Sequence, residues 1–210
     1  MKKLILIGGG GHCKSVLDCL DHNLFDEIII SDRPDKIGST VLNIPIKISD
    51  DKLFQLKKQE FDYAFITIGT IRADTTRNEI YHKLIQNGYK LINIISSSAT
   101  VSENVQIEEG VFIGKQAVIN TGTLIECCAI INTGALIEHD CKIGAFTHIA
   151  PGCILLGNVQ IGHDSHIGAG AVIKQGVCIG SNVTVGAGSV VLKDIPDNAT
   201  AYGIPSKVVT

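Results

Sequence analysis

Residues 131–149 read INTGALIEHDCKIGAFTHI, and isoleucine occupies every sixth position of this stretch. The same period extends in both directions, so that sixteen positions in steps of six, from Val101 to Val191, are all Leu, Ile or Val. A strand repeats its apolar residues at every second position, and a helix at spacings of three and four. A strict period of six fits neither element. It predicts a parallel β-helix whose flat sides are six residues long.

The residues around this aliphatic position support the same interpretation. Two residues earlier the side chain is small or Val, as at Ala117, Ala135 and Cys153, and glycine often follows, as at Gly144 and Gly162. Three sides form an 18-residue coil whose strands stack at about 4.8 Å on the next coil. We therefore predict an all-β left-handed parallel β-helix of hexapeptide repeats over residues 96–191, followed by a C-terminal cap at 192–210.

Residues 1–95 follow a different pattern, in which apolar runs alternate with helical segments. This alternation predicts an α/β N-terminal domain that is Rossmann-like. The predicted elements are a strand at 4–7, a helix that includes Val16, Leu17 and Leu20, a strand at 28–32, a strand at 63–69, a helix near 78–87 and a strand at 91–95.

The glycine run at 8–11 lies between the first strand and the first helix, and Asp32 ends the second strand. Backbone N–H groups of such a loop can bind a pyrophosphate. An acidic residue at the end of the second strand can accept a hydrogen bond from a ribose hydroxyl. Cys13 stands where a dinucleotide motif has its third small residue. A tight turn without a ligand is the alternative interpretation, and a nicotinamide enzyme would leave the β-helix unexplained.

Composition excludes several partners. The formal net charge is -3, the sequence pI is about 6.1 and the basic residues are scattered, so we expect no nucleic acid partner. The N-terminal apolar run is too short for a signal peptide or a membrane span, and we expect a cytoplasmic protein without membrane contact. The seven cysteines do not have the spacing that is typical of zinc ligands. A zinc site like that of the γ-carbonic anhydrases, which are also hexapeptide prisms, would need two histidines five residues apart, and no two histidines have this separation. We predict no metal.

Several short segments are distinctive in combination. They are GGGGHCK at 8–14, INT at 131–133, IEHDC at 137–141, FTH at 146–148, GNV at 157–159 and GIP at 203–205. Over nearly its whole length the chain resembles the sialic acid O-acetyltransferase / UDP-4-amino-sugar N-acetyltransferase family, the latter known from bacillosamine synthesis. The resemblance implies an acetyl-CoA-dependent sugar acetyltransferase with acetyl-CoA as cosubstrate, a nucleotide-linked amino sugar as partner and a homotrimer with acyl-donor clefts between neighbours.

The resemblance also implies site residues. His139 matches the general base and Asp140 its acidic neighbour. The positions that match acetyl-CoA contacts are His148, Gly157, Ala169 and Ala187. The positions that match the nucleotide-sugar site are Gly10, Gly11, His12, Asp32, Arg33, Gly69, Thr70 and Asn132. Arg33 departs from relatives that carry a second Asp there, which leaves the nucleotide open, and Ser206 replaces the usual Ala.

We therefore expect N-acetylation of the 4-amino group of a nucleotide-linked 4-amino-4,6-dideoxyhexose, by direct transfer in a ternary complex without an acyl-enzyme. An O-acetyltransferase acting on a sialic-acid-like sugar is the nearest alternative. A non-catalytic hexapeptide scaffold or nucleotide sensor is a third possibility. A bifunctional nucleotidyltransferase is disfavoured because the Gly-x-Gly-Thr-Arg signature is absent.

Overall fold

The computed structural model describes residues 2–49, 52–57 and 60–209. Contacts between Cα atoms divide the chain into two compact units. The first comprises Met1–Gly69 and Thr76–Ile94, and the second comprises Thr70–Thr75 and Ile95–Thr210. The short segment Thr70–Thr75, which we call the crossing segment, thus belongs to the second unit although the chain on both sides of it belongs to the first.

The first unit is an α/β domain with one six-stranded sheet in the order β3-β4-β2-β1-β5-β6. Its strands are β1 (Lys3–Ile7), β2 (Glu27–Asp32), β3 (Thr40–Val41), β4 (Ile44–Ser49), β5 (Phe61–Ile66) and β6 (Lys90–Leu91). Its helices are α1 (Gly11–Cys19), α2 (Leu53–Lys57) and α3 (Thr76–Gln86), with 3₁₀ turns at His22–Leu24 and Pro34–Lys36. All pairings are parallel except that of β3 with β4.

The α/β prediction for this part of the chain is confirmed, with differences at its edges. Leu4 to Ile7 in β1 are fully buried, as expected for a central strand with both faces covered. The predicted strand at 63–69 ends earlier, at Ile66, and the Thr67 hydroxyl donates to the carbonyl oxygen of Ile7 (2.8 Å). The predicted strand at 91–95 is two elements, because β6 pairs with β5 whereas Ile94–Ile95 enters another sheet. The strands β3 and β4 and the helix α2 were not predicted from the sequence.

The second unit is a three-sided parallel β-helix. Face 1 contains β7 (Ile94–Ile95), β10 (Phe112–Ile113), β13 (Ile130–Ile131), β16 (His148–Ile149), β19 (His166–Ile167), β22 (Thr184–Val185), β24 (Thr200–Gly203) and β25 (Ser206–Val208). Face 2 contains β8 (Thr100–Val101), β11 (Val118–Ile119), β14 (Leu136–Ile137), β17 (Ile154–Leu155), β20 (Val172–Ile173) and β23 (Val190–Val191). Face 3 contains β9 (Gln106–Ile107), β12 (Leu124–Ile125), β15 (Lys142–Ile143), β18 (Gln160–Ile161) and β21 (Cys178–Ile179).

The interior of the prism is the predicted aliphatic column. From Ile113 to Val191 every sixth residue is at most 3% exposed, and Val101 and Ile107 at the first coil pack against this core partly buried. Each strand pairs with the strand one coil further on, as Ile131 does with Ile149. The glycines after the column let coils approach closely, since a Cβ at Gly144 would lie 2.5 Å from the carbonyl carbon of Gly162. The predicted hexapeptide β-helix is confirmed.

The chain leaves the repeat after β23. Ile195 forms a single bridge to Ile179 on face 3, and Thr200–Ala201 pairs with Thr184–Val185 on face 1. The antiparallel pair of β24 and β25 then ends face 1. Among the described residues, no helix has the length and apolar character needed to cross a membrane.

Candidate active site

The corner between faces 2 and 3 carries the predicted base. His139 and Asp140 lie between β14 and β15, and Nδ1 of His139 is 2.8 Å from Oδ2 of Asp140. A carboxylate can only accept, so Nδ1 donates its proton and Nε2 keeps a lone pair. The two side chains are exposed to 49% and 65%. An exposed imidazole in this tautomer can take a proton from a bound amine.

Two glycines adjoin this pair on the neighbouring coils. A Cβ at Gly157 would lie 2.6 Å from Nε2 of His139, so the imidazole rests over the bare backbone of the next coil. A Cβ at Gly122, on the preceding coil, would collide with Oδ1 of Asp140. Gly157 therefore lies at the predicted base, and Gly122 is a residue that the sequence analysis missed.

Cys141 follows the pair directly and points into the prism, where it is 2% exposed. Burial raises the pKa of its thiol. A protonated, buried thiol is a poor nucleophile, which agrees with the expectation that no acyl-enzyme forms.

Three predicted residues form one hydrogen-bonded chain on face 1. Nδ2 of Asn132 donates to Nε2 of His148 (3.1 Å), and Nδ1 of His148 donates to the carbonyl oxygen of Thr70 (2.8 Å). Oδ1 of Asn132 accepts from the N–H of Thr133. His148 is 7% exposed, with both ring nitrogens bound by protein. Thr70 thus contacts the β-helix through its backbone carbonyl, and the amide of Asn132 orients the imidazole.

The crossing segment is held at a second point, where the N–H of Ala73 donates to the hydroxyl of Thr184 (3.0 Å). His166 lies between these two points in the same column, and its ring packs edge-on against that of His148 with centroids 5.0 Å apart. Burial lowers the pKa of His166. Face 1 therefore presents buried imidazoles beneath this segment.

Ala169 and Ala187 lie at the corner between faces 1 and 2, a flat side away from His139. Each is flanked by glycine. A column of four glycines runs along this corner, and a Cβ at any of them would meet nothing within 4 Å; they are Gly134, Gly152, Gly170 and Gly188. This corner is a strip of open backbone parallel to the prism axis.

In the first unit the glycine loop begins the helix α1. Gly10 is the N-cap residue and Gly11 the first residue of the helix, and a Cβ at either position would meet nothing within 4 Å. The N–H of Gly9 is not available to a ligand, because it donates to Oδ2 of Asp32 (2.7 Å). Open backbone at a helix N-terminus suits an anion.

Asp32 is 7% exposed and accepts three hydrogen bonds from the protein. Besides Gly9, its donors are the N–H of Arg33 (2.7 Å) and Nζ of Lys36 (2.9 Å). Burial alone would raise the pKa of the Asp32 carboxyl, but these hydrogen bonds and the charge of Lys36 hold it below its usual value. Asp32 thus organises the loop, and Lys36 is a second residue that the sequence analysis missed. Arg33 is 69% exposed, near Asp35.

His12, the second residue of α1, packs against Gly69. A Cβ added at Gly69 would lie 3.2 Å from the Cβ of His12. Burial and, to a lesser degree, the charge of Arg77 lower the pKa of His12 to about 4. His12 is therefore neutral near pH 7. Arg77, at the start of α3, is 2% exposed and was not predicted.

Among residues 2–49, 52–57 and 60–209, no group of three or more His, Cys, Asp or Glu is arranged to hold a metal ion. A groove of about 770 Å³ lies on face 3, with Gln160, His163 and Cys178 in its lining. None of the predicted site residues lines it.

Comparison with protein-family models matches both parts of the chain. Residues 3–84 match the PglD N-terminal domain, and residues 158–193 match the bacterial transferase hexapeptide model of six repeats.

Solved structures match over the full length. Perosamine N-acetyltransferase from Caulobacter crescentus, in a complex with CoA and GDP-perosamine, is 36% identical, with a TM-score of 0.91 over 100% of this chain and 98% of that chain. Variants of that enzyme in which a histidine is replaced by Asn or Ala superpose with a TM-score of 0.92. The acetyltransferase domain of PglB from Neisseria gonorrhoeae, bound to acetyl-CoA, is 36% identical, with a TM-score of 0.91 over 99% of each chain.

Proposed function

Because the chain belongs to the hexapeptide-repeat sugar N-acetyltransferases with a PglD-type N-terminal domain, we propose that it transfers the acetyl group of acetyl-CoA to a nucleotide-linked amino sugar. The acceptor is the 4-amino group of a 4-amino-4,6-dideoxyhexose. The observation that carries the proposal is the exposed His139–Asp140 pair, whose Nε2 is free to accept a proton. The replaced histidine in variants of the Caulobacter enzyme supports it.

The reaction assigned to this corner is direct acyl transfer. The sugar amine adds to the thioester carbonyl carbon, Nε2 of His139 takes the amine proton, and the carbon–sulfur bond breaks to release CoA as the thiolate. The carboxylate of Asp140 holds the tautomer through Nδ1 and stabilises the imidazolium that forms. The proton on Nε2 then passes to the thiolate. Every step uses groups of the ternary complex, and no protein nucleophile is needed.

The open corner at Ala169 and Ala187 suits the extended arm of acetyl-CoA. Four stacked glycines without neighbours leave the backbone accessible over three coil spacings, about 15 Å at 4.8 Å per coil. In the first unit, the open backbone at Gly10 and Gly11 suits the diphosphate of a nucleotide sugar, with His12 and Gly69 beside it.

The oligomer that fits this arrangement is a homotrimer. Face 2 has an outward row of aliphatic residues, which are Val118, Leu136, Ile154, Val172 and Val190. The outward row of face 3 is mixed, with Gln106, Lys142 and Gln160 beside Leu124 and Cys178. Face 2 is flanked by the corner of His139 on one side and that of Ala169 on the other. With face 2 toward a threefold axis, the His139 corner of one copy meets the Ala169 corner of its neighbour.

The predicted cytoplasmic location stays a prediction.

The experiment that tests the activity is a thiol-release assay with acetyl-CoA. The acceptors are UDP-, dTDP- and GDP-linked 4-amino-4,6-dideoxyhexoses and free sialic acid, and mass spectrometry of the product locates the new acetyl group. We expect release with one nucleotide class and an N-acetyl product. An O-acetyl product, or CoA release with sialic acid alone, would contradict the proposal and indicate a sialic acid O-acetyltransferase instead.

The variant His139→Asn tests the base. We expect kcat to fall by about 10² to 10⁴, with acetyl-CoA binding by calorimetry unchanged. The matched control is His163→Asn, because His163 and Asp164 form the same 2.8 Å hydrogen bond at another corner. Unchanged turnover in His139→Asn, or equal loss in both variants, would refute the assignment.

A further inference from the structure

The β-helix contains two His–Asp pairs at the same hexad position. In both, Nδ1 of the histidine is 2.8 Å from Oδ2 of the following aspartate, and both aspartates are left-handed, with φ of 59° at Asp140 and 56° at Asp164. The pairs are four hexads apart, at 139–140 and 163–164. The hydrogen bond itself is thus a product of the local repeat.

The neighbouring coils distinguish the two pairs. One coil after His139 is Gly157, whereas one coil after His163 is Ser181. One coil before Asp140 is Gly122, whereas one coil before Asp164 is Phe146. The side chain of Asp140 is 65% exposed and that of Asp164 only 4%. Both histidines are exposed, His139 to 49% and His163 to 62%. Glycines on both sides therefore accompany the pair whose aspartate is exposed, and larger residues accompany the pair whose aspartate is buried.

We propose that Gly122 and Gly157 are positioning residues that form a slot for the His139–Asp140 pair and fix the direction of its free nitrogen. The inference rests on the proposed function, because it assigns a role relative to His139 as the base. It also gives Gly157 a role distinct from the acetyl-CoA contact that the family resemblance implies.

Gly157 leaves room for the imidazole of the base. A Cβ there would be 2.6 Å from Nε2, 2.7 Å from Cε1 and 3.3 Å from Cδ2 of His139. Non-bonded contacts are favourable at about 3.5 Å, so the ring would have to move by about 1 Å. The φ of Gly157 lies outside the left-handed range, so alanine adds no left-handed strain there, and the three atoms nearest to its Cβ all belong to the imidazole.

Gly122 leaves room for the carboxylate. A Cβ there would collide with Oδ1 of Asp140 and lie 3.4 Å from its Cγ. The carboxylate would rotate or shift, and the imidazole that it holds through Nδ1 would change its direction. Gly122 also has φ of 75°, so any replacement carries backbone strain in addition.

The first test is Gly157→Ala, with kcat and the KM for acetyl-CoA measured separately. Because misplacement by about 1 Å can cost about 100-fold in rate, we expect kcat to fall about 100-fold while the KM for acetyl-CoA stays within about twofold. A raised KM with kcat unchanged would overturn the inference and assign Gly157 to acetyl-CoA binding. Wild-type values for both constants would also overturn it.

The second test compares Gly122→Ala with Gly176→Ala. Gly176 stands in the same column and has φ of 71°, and a Cβ there would meet nothing within 4 Å, so it matches the backbone strain without the contact. We expect similar falls in melting temperature. We expect kcat to fall in Gly122→Ala only, because the carboxylate that orients the imidazole is displaced. Equal kcat values in both variants would overturn the inference.

A readout independent of turnover separates this inference from the proposed function. The ring ¹⁵N resonances of His139, assigned through His139→Asn, report the Nδ1–H hydrogen bond in each variant. We expect them to change in Gly122→Ala and Gly157→Ala and to remain wild-type in Gly176→Ala. If the wild type releases no CoA with any acceptor, the proposed function fails while this measurement still tests the slot.

Discussion

Nδ1 of His148 donates to the carbonyl oxygen of Thr70 across 2.8 Å, and this contact ties the crossing segment to face 1. The same ring accepts from Asn132 at Nε2. The family resemblance assigns His148 to acetyl-CoA binding, but both of its ring nitrogens form hydrogen bonds with protein groups. Any contact of His148 with a ligand would have to use the ring carbons or the backbone.

The variant His148→Phe tests this role. Phenylalanine keeps the ring that packs on His166, but it leaves the carbonyl of Thr70 and the amide of Asn132 without this partner. We expect a loss of about 1 to 3 kcal/mol in the free energy of unfolding, measured with urea, and faster tryptic cleavage after the exposed Arg72. His82→Phe on the exposed surface of α3 should stay within about 0.5 kcal/mol. Equal stability of both variants would contradict the role.

His12 predicts a dependence of stability on pH. Its pKa is lowered by burial and by Arg77 to about 4, from 6.5 in the unfolded chain. Between these values the unfolded state binds more protons, so stability is full above about pH 6.5 and falls as the pH drops toward 4, by about 3 kcal/mol in all. We expect urea unfolding of His12→Asn between pH 7 and 4.5 to have a shallower slope than the wild type. Parallel curves would contradict the burial of a neutral imidazole.

Replacing Asp32 tests the role of its hydrogen bonds in the glycine loop, and replacing Asp35 serves as the control. Asp32→Asn removes the charge that holds Lys36, and one amide oxygen cannot serve both Gly9 and Arg33. We expect a loss of about 1 to 3 kcal/mol in unfolding free energy and weaker binding of nucleoside diphosphates by calorimetry. Because the pKa of Asp32 is lowered, this stabilisation is present at neutral pH and is lost only as the pH falls below the usual range of a carboxyl.

Asp35→Asn is the control for that change. Its carboxylate is 70% exposed and lies 3.7 Å from Arg33, a surface pair that contributes little. We expect stability within about 0.5 kcal/mol of the wild type and unchanged nucleotide binding. A loss as large as that of Asp32→Asn would mean that the loop responds to net charge and not to the hydrogen bonds of Asp32.

The fold was predictable where one physical requirement repeats. A prism admits one aliphatic side chain per hexad, so the positions from Val101 to Val191 identify both the architecture and its core. The short strands β3 and β4 were not predictable in this way. β3 has two residues, and β4 contains Pro45, which removes a backbone donor and weakens the strand pattern.

The candidate site was predictable to the level of columns but not of side-chain contacts. Counting by 18 puts Gly157 beside His139, yet only the folded structure shows that the imidazole turns over the bare Cα. The ion pair of Lys36 with Asp32 depends on a 3₁₀ turn that has no periodic signal. The bond from His148 to Thr70 joins residues far apart in sequence through a backbone oxygen, for which side-chain identity carries no information.

The aliphatic row of face 2 predicts that a charged substitution there will dissociate the proposed trimer. Ile154 is 36% exposed in the single chain, in a row of aliphatic side chains that a threefold interface would bury. Ile154→Lys would bring an unpaired charge into that interface, so we expect the wild type to sediment at three times the 22.4 kDa chain mass and the variant to dissociate. Since the His139 and Ala169 corners of one chain are a flat side apart, dissociation should also abolish acetyl transfer. The control is Gln160→Lys, at the equivalent outward position on face 3, which should sediment and react as the wild type does. A monomeric wild type that retains activity would contradict both the trimer and the shared site.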